Sequence, residues 1–255
     1  MTSDDTHWPD FENRRAHAFN KIRDTAPHDL NRGKFLDIGC GTGNGVIAAA
    51  QNGFALSVGI DRDFNEFHWF EIDRFASVCR HYGVDPVHTM MVQGDIFNCK
   101  FEPKSFDFVL MLDSIEHVPD PESFIRIAAD YVANDGVLVI DTCPLYFGRV
   151  GHHLFSQFDD ETPWAHLRHD FAERSLAFDD WSMTRFAELN KVTHNQVVGW
   201  MRDAQLEVVL EHRDIPTQED EALLDQHRAS LCLDDIDEKT LFENWLLVVG
   251  RRCAA

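Results

Sequence analysis

Two rhythms of apolar and polar positions alternate along the first half of the chain. Residues 34–38, 55–60, 87–93, 106–112 and 136–142 are short, largely apolar runs bounded by Gly, Asp or Pro. Runs of that length and setting read as buried strands. Residues 45–51, 64–82 and 121–133 lie between them and read as helices, the second with aromatics along one face. Before them, residues 10–25 read as a polar helix with Phe11, Ala18 and Ile22 on one side. Strands alternating with helices predict βαβ units and a parallel sheet, and right-handed crossovers place helices on both of its faces. The expected fold is therefore α/β, a doubly wound, Rossmann-like, mostly parallel sheet.

The rhythm breaks after Pro144. Residues 145–192 are rich in aromatics, His and Asp and show no period. That is too long for an ordinary connection, so an inserted lid or substrate-binding segment is expected there. Regular structure resumes at Thr193, an N-cap with Gln196 three residues on, the pattern of a capping box. A helix to about residue 204 follows, then two strands at 206–212 and 245–249, which bring the sheet to seven. Between these strands lies an acidic insertion, 217–239, with a short helix over 219–231. The expected organisation is one domain over 1–255, with residues 1–30 as a helical N-terminal cap.

Composition narrows the partners. At 255 residues the chain suits one large domain. Hydrophobic residues at 44% and charged residues at 26% rule against global disorder. The net charge of −21 rules against a protein that holds nucleic acid by neutralising phosphates, and against a polybasic membrane-surface protein. The first ten residues are polar, without the apolar core of a signal peptide, and no apolar run is long enough to span a bilayer. The six cysteines form no CxxC pair. They read as free thiols in a reducing cytoplasm.

The chemistry is concentrated at the ends of the predicted strands. Phe35-Leu36-Asp37-Ile38-Gly39-Cys40-Gly41-Thr42-Gly43-Asn44-Gly45 is a strand, a glycine-rich turn and the start of a helix. Glycines let a backbone approach a ligand with no Cβ between them, and the first βα turn of a doubly wound sheet is where cofactors sit. The spacing is GxGxG. Asn44 stands where the dinucleotide fingerprint needs glycine, which counts against a nicotinamide oxidoreductase, and no Gly-Lys-Ser/Thr follows to make a phosphate loop. Asp61 ends the second strand, where an acid can accept from ribose hydroxyls. Gly94-Asp95-Ile96 follows the third strand, where a carboxylate can take an adenine amino group and an apolar side chain can flank the ring. Asp113-Ser114-Ile115-Glu116-His117-Val118-Pro119 follows the fourth.

These four features, in this order, resemble the class I S-adenosylmethionine-dependent methyltransferases. The likeness is to the broad group containing small-molecule O-methyltransferases such as the ubiquinone-pathway enzyme. The match covers about residues 33–143, and the last helix and two strands fit the ending of that fold. The resemblance implies S-adenosyl-L-methionine as cofactor. Asp37 and the backbone of Gly39, Cys40, Gly41 and Gly43 would hold its methionine part. Asp61 would take the ribose, with Arg62 beside the adenine, and Asp95 and Ile96 would flank that ring. Asp113 would line the transfer site. Residues 145–192 depart from the minimal pattern. Their Gly-His-His-Leu and Pro-Trp-Ala-His-Leu sequences resemble a subset associated with surface-polysaccharide and specialised-metabolite biosynthesis, which would imply a polar small-molecule acceptor.

Transfer to a hydroxyl needs a proton acceptor, and His152, His153, His117 and His166 are candidates by residue type. The His and Asp spacing of 152–170 matches no recognised metal-ligand pattern, so no metal is expected. An N- or C-methyltransferase on the same fold, or a cofactor-binding protein without catalysis, are the alternatives. Neither a nucleic-acid substrate nor an amino-group methylase of bases is expected. The tetrapeptide of such enzymes, Asn/Asp-Pro-Pro-Tyr/Phe, is replaced here by Asp113-Ser114-Ile115-Glu116.

Overall fold

The computed structural model describes residues 8–62, 64, 75–151 and 162–253. Its strands are β1 (Lys34–Ile38), β2 (Leu56–Asp61), β3 (Thr89–Gln93), β4 (Phe106–Leu112), β5 (Val132–Thr142), β6 (Glu207–His212) and β7 (Leu246–Arg251). They form one sheet in the order β3-β2-β1-β4-β5-β7-β6. The first five run parallel to one another, and β7 is antiparallel to both β5 and β6. Strand order reverses between β1 and β4. That reversal opens a crevice beyond their carboxyl ends, the place where open α/β sheets bind ligands.

Side chains alternate between the two faces of each strand, and both faces are covered. In β1, Leu36 and Ile38 join a core with Phe124, Ile125, Ala128 and Ala129 of helix α4 (Pro121–Tyr131) and Val197, Val198 and Met201 of helix α7 (His194–Asp203). Phe35 points the other way, to Ala18 and Ile22 of helix α1 (Trp8–Thr25) and Ala48 and Ala49 of helix α2 (Asn44–Gln51). The doubly wound sheet predicted from the apolar rhythm is thus the observed one.

Several boundaries differ from the sequence reading. Of the helix expected over 64–82, the described part contains α3 (Phe75–His81), and residues 63 and 65–74 lie outside the described residues. Strand β3 starts at Thr89 because Asp85 caps a single 3₁₀ turn over Pro86–His88, its Oδ1 accepting from the Val87 amide at 3.0 Å. Strand β5 starts at Val132, four residues early. Its register against β4 shifts between Phe106 and Phe108, and a Cβ at Gly136 would lie 2.9–3.1 Å from three backbone carbonyls.

Within 145–192 the described parts contain α5 (Phe171–Arg174) and α6 (Asp180–Ala187). Trp164 and Leu167 pack with Leu224, Leu231 and Leu241, so this segment shares a small core with the acidic insertion and its helix α8 (Gln218–His227). Asn190 fastens the segment to the loop after β4. Its amide donates to the Ile115 and Val118 carbonyls at 2.7 and 2.8 Å, and its backbone N–H to Glu116 O at 2.8 Å. The capping box of Thr193 and Gln196 is present.

Candidate active site

The turn after β1 is built from backbone that favours glycine. Gly39, Gly41 and Gly43 have φ of +79°, +49° and +82°. A Cβ at Gly39 would lie 2.6 Å from Ser114 Cβ, and one at Gly43 2.5 Å from the Phe75 ring. A Cβ at Gly45 would collide with the Asp37 carboxylate. The Gly39 and Cys40 amides donate to Ile60 O at 2.9 and 3.2 Å, and the Gly41 amide to Asp61 Oδ2 at 2.8 Å. Asp61 is thereby locked to the turn at the mouth of the crevice. Such a turn brings main chain up to a ligand.

Asp37 is buried beneath this turn. Burial pushes its pKa up to about 8, with the nearby Asp61 carboxylate adding to the shift. A group in that state welcomes a cation from a ligand, because a positive charge would offset what now disfavours its ionisation. Cys40 has its thiol pushed well above the usual range by burial and by the charges of Asp37 and Asp61, so it is no nucleophile. Its sulfur faces Gly59, where a Cβ would lie 2.7 Å from Sγ. Arg62 is exposed at the end of β2. Asp95 accepts from the Phe97 amide at 3.0 Å through Oδ1, closing a turn in which its carbonyl takes the Asn98 and Cys99 amides. Ile96 is buried in the same core as Phe124.

The wall formed by β4 and β5 is made of side chains. Asp113 stands just past β4 with φ +47°, and its amide donates to Asp141 O at 2.9 Å. Its left-handed backbone costs about 1–2 kcal/mol for a residue with a Cβ, less for Asp than for most. The residue as a whole is exposed to solvent at the crevice. The surrounding walls desolvate it, Glu116 and Asp141 add like charge, and its pKa rises to about 6. Ser114, the next residue, is the one packed against Gly39. Asp113 therefore sits one residue from the glycine turn. Glu116 is buried, and His117 Nε2 lies 3.9 Å from its Oε1.

Asp141 of β5 is buried and ionised. Burial opposes its charge, but His17, Lys21 and Trp245 outweigh that and hold its pKa below the usual carboxylate range. Lys21 Nζ lies 2.8 Å from Oδ2, His17 Nε2 lies 3.6 Å away, and the Trp245 indole donates to Oδ1. Lys21 also rests 4.5 Å from the centre of the Trp245 ring. Sequence reasoning passed over His17, Lys21, Asp141 and Trp245, because they come from α1, β5 and the residue before β7 and share no local motif.

Of the histidines considered as proton acceptors, His152 and His153 lie outside the described residues. His166 is buried between Tyr146 and Phe186, and burial lowers its pKa to about 4. Among the described residues, no group of three or more His, Cys, Asp or Glu side chains is placed to hold a metal ion, and no helix is long and apolar enough to cross a membrane.

Comparison with known proteins agrees with this geometry. A family profile described as a methyltransferase domain matches residues 11–211. The chain belongs to the methyltransferase-domain family. Among its relatives is the ubiquinone biosynthesis O-methyltransferase of Neisseria meningitidis serogroup C, 32% identical over 114 residues that cover 45% of each chain. That of Saccharophagus degradans is 35% identical over 109 residues, 43% of each. The chain thus spans under half the length of these curated relatives.

Among solved structures, phosphoethanolamine N-methyltransferase 2 of Haemonchus contortus, in complex with S-adenosyl-L-methionine, matches with a TM-score of 0.59 and 15% identity, over 94% of this chain and 53% of that one. The cyclase SpnF matches with a TM-score of 0.57 and 14% identity, over 94% and 81%. Likeness at that identity speaks for the fold, and fold alone does not name a reaction. The site is compatible with S-adenosylmethionine, the cofactor that the family resemblance implies. Gly39, Gly43 and Gly45 pack too closely on Ser114, Phe75 and Asp37 to carry a Cβ, which fixes the course of the turn, and the carboxyl groups of Asp37 and Asp61 flank it.

Proposed function

We propose that this methyltransferase acts on a hydroxyl group of a polar small molecule, in the biosynthesis of sugars, polysaccharides or specialised metabolites, with Asp113 as the proton acceptor. The observation that carries the reading is the place and state of Asp113. It stands at the carboxyl end of β4, one residue from the contact between Ser114 and Gly39, with a pKa near 6. A carboxylate tuned there is ionised at neutral pH yet basic enough to take a proton in a transition state. His166, at about 4, lacks that basicity. Support for a hydroxyl acceptor also comes from the O-methyltransferases among its relatives.

In this reading Asp37 and the backbone of Gly39, Cys40, Gly41 and Gly43 hold the amino-acid part of the cofactor. Asp61 takes the ribose, and Arg62, Asp95 and Ile96 lie at the adenine. When bound, S-adenosylmethionine supplies a methyl group on a positively charged sulfur, already activated for displacement. The chain's part is to align the acceptor and remove its proton. Alignment of this kind is worth as much as about 7–11 kcal/mol in favourable cases. Asp113 accepts the hydroxyl proton. The segment 145–192, fastened through Asn190 to the loop carrying Glu116 and His117, serves as the cover that excludes water and selects the acceptor.

The test has two stages. Calorimetry compares S-adenosylmethionine binding to the wild type and to Asp61→Ala, where a loss of about 1–3 kcal/mol is expected for a hydrogen bond to a charged group. Transfer of a tritiated methyl group is then followed across sugars, phenols and amines. Labelled methyl ether products support the reading. Label on amines alone overturns the hydroxyl assignment, and no cofactor binding by the wild type overturns the whole.

A further inference from the structure

Three of the six cysteines are exposed, Cys143, Cys232 and Cys253, and their neighbours differ. Cys253 faces the Glu207 carboxylate at 3.3 Å, which pushes its thiol up. Cys143 is pushed up by partial burial and by the charges of Asp113 and Asp141. Cys232 instead meets a base. Its Sγ lies 2.9 Å from Nδ1 of His169, and both side chains are open to solvent. Among the described residues no other cysteine has an imidazole as hydrogen-bond partner.

The two residues come from different segments, brought together by a short antiparallel clip. Arg168 pairs with Leu231 as an isolated bridge, the His169 amide donates to Ser230 O at 3.0 Å, and the Cys232 amide donates to Leu167 O at 2.7 Å. Beneath the clip, Leu167 and Leu231 belong to one buried cluster with Trp164 and Leu224. The imidazole is therefore held against the sulfur by main chain and by a core.

We propose that Cys232 is a modification site for soft carbon electrophiles, with His169 as the base that takes the thiol proton. The S–C bond forms as the bond from that carbon to its leaving group breaks. The leaving group departs with its electron pair, and the proton passes from Sγ to Nδ1 and on to water. A thiol with a neighbouring proton acceptor and open access is the arrangement that makes a cysteine reactive. An adduct at Cys232 also lands on the clip joining 162–170 to the acidic insertion. Modification is thus expected to loosen that junction, independently of the methyl-transfer chemistry.

Iodoacetamide at substoichiometric dose, followed by peptide mass spectrometry, reads the relative rate at every cysteine, and the same reaction in urea gives each thiol's rate without its surroundings. Cys232 is expected to be carbamidomethylated first, ahead of Cys143 and Cys253, with the preference gone in urea. His169→Phe keeps the ring's bulk and removes the base, and should slow Cys232 by about tenfold or more. His169→Gln keeps a hydrogen-bond acceptor of low basicity and should slow it similarly. Both substitutions are on an exposed side chain, and circular dichroism checks that the fold is intact. Hydrogen exchange at the Cys232 amide should quicken in the adduct. Equal rates at the three exposed cysteines, an unchanged Cys232 rate in His169→Phe, or a full rate in His169→Gln would each overturn the base assignment. Unchanged exchange in the adduct would overturn the loosening of the clip.

Discussion

The crevice has two unlike walls. On the β1–β2 side the surface is main chain, bent through Gly39, Gly41 and Gly43, with one carboxylate tied into it by the Gly41 amide. On the β4–β5 side it is side chains: Asp113, Glu116, His117 and Asp141, with Lys21 and His17 reaching in from α1. The main chain of the first wall is fixed by sterics and carries no titrating group of its own. A wall of coupled carboxylates can be retuned by a single substitution, and its state follows pH. The division suits one invariant ligand on the first side and a variable acceptor with a proton to lose on the second.

The sharpest way to break this comparison is Asp113→Asn. If the second wall does the proton work, kcat should fall about 10²–10⁴-fold while cofactor affinity stays within about twofold. Isothermal titration beside steady-state kinetics separates the two. A drop in cofactor affinity with kcat preserved would put Asp113 on the wrong wall.

Next in size is Lys21→Met. Asp141 would keep its burial and lose its closest cation, and breaking one partner of a buried pair costs about 3 kcal/mol. Urea unfolding should show that loss in the cofactor-free protein. The double variant Lys21→Met/Asp141→Asn should recover most of it, since an amide in place of the carboxylate removes the stranded charge. Additive losses in the double variant would mean that Lys21 acts through packing on Trp245 instead.

The two walls also differ in how far the sequence discloses them. The first is a contiguous stretch, 35–45, plus Asp61 and Asp95, each just after an apolar run. Local pattern is enough to find it, because glycines at positive φ and a strand-ending acid leave their mark in consecutive residues. The second is assembled by tertiary packing. Asp113 was visible from its place after β4. Asp141 reads as one polar residue in an apolar strand, and Lys21 as an ordinary cation on a polar helix. Their meeting depends on α1 lying over strands β5 and β7, which no short-range period encodes. The same reason accounts for the start of β5. Of the four extra residues Val132 pairs with Phe106, and the register shift that follows lets Gly136 close on β4.

A smaller effect tests the first wall. Gly39→Ala places a methyl group 2.6 Å from Ser114 Cβ at φ +79°. The strain should cost about 1–2 kcal/mol of stability. Because Ser114 adjoins Asp113, the variant should also lower kcat in the presence of saturating cofactor. A variant with reduced cofactor affinity and normal kcat would show that the walls are mechanically separate at this contact.

A last test concerns Asp37, a titrating group beneath the backbone wall. In the cofactor-free protein burial, reinforced by Asp61, lifts its pKa to about 8, so it is largely protonated at neutral pH. The folded state then holds a proton that the unfolded chain, with a carboxyl near 3.9, has released. Between those two values stability falls as pH rises, by at most about 1.4 kcal/mol per unit. Asp37→Asn should flatten that slope and make the protein more stable than the wild type at pH 8. Cofactor binding runs the other way. A ligand cation placed at Asp37 favours the carboxylate, so binding expels a proton, and affinity should climb up to about tenfold per pH unit between pH 6 and 7.5. Calorimetry in two buffers of different ionisation enthalpy counts the proton directly. The wild type should release close to one and Asp37→Asn none. Equal proton release by both would mean that Asp37 stays protonated under the cofactor, and that the first wall contributes shape with no charge.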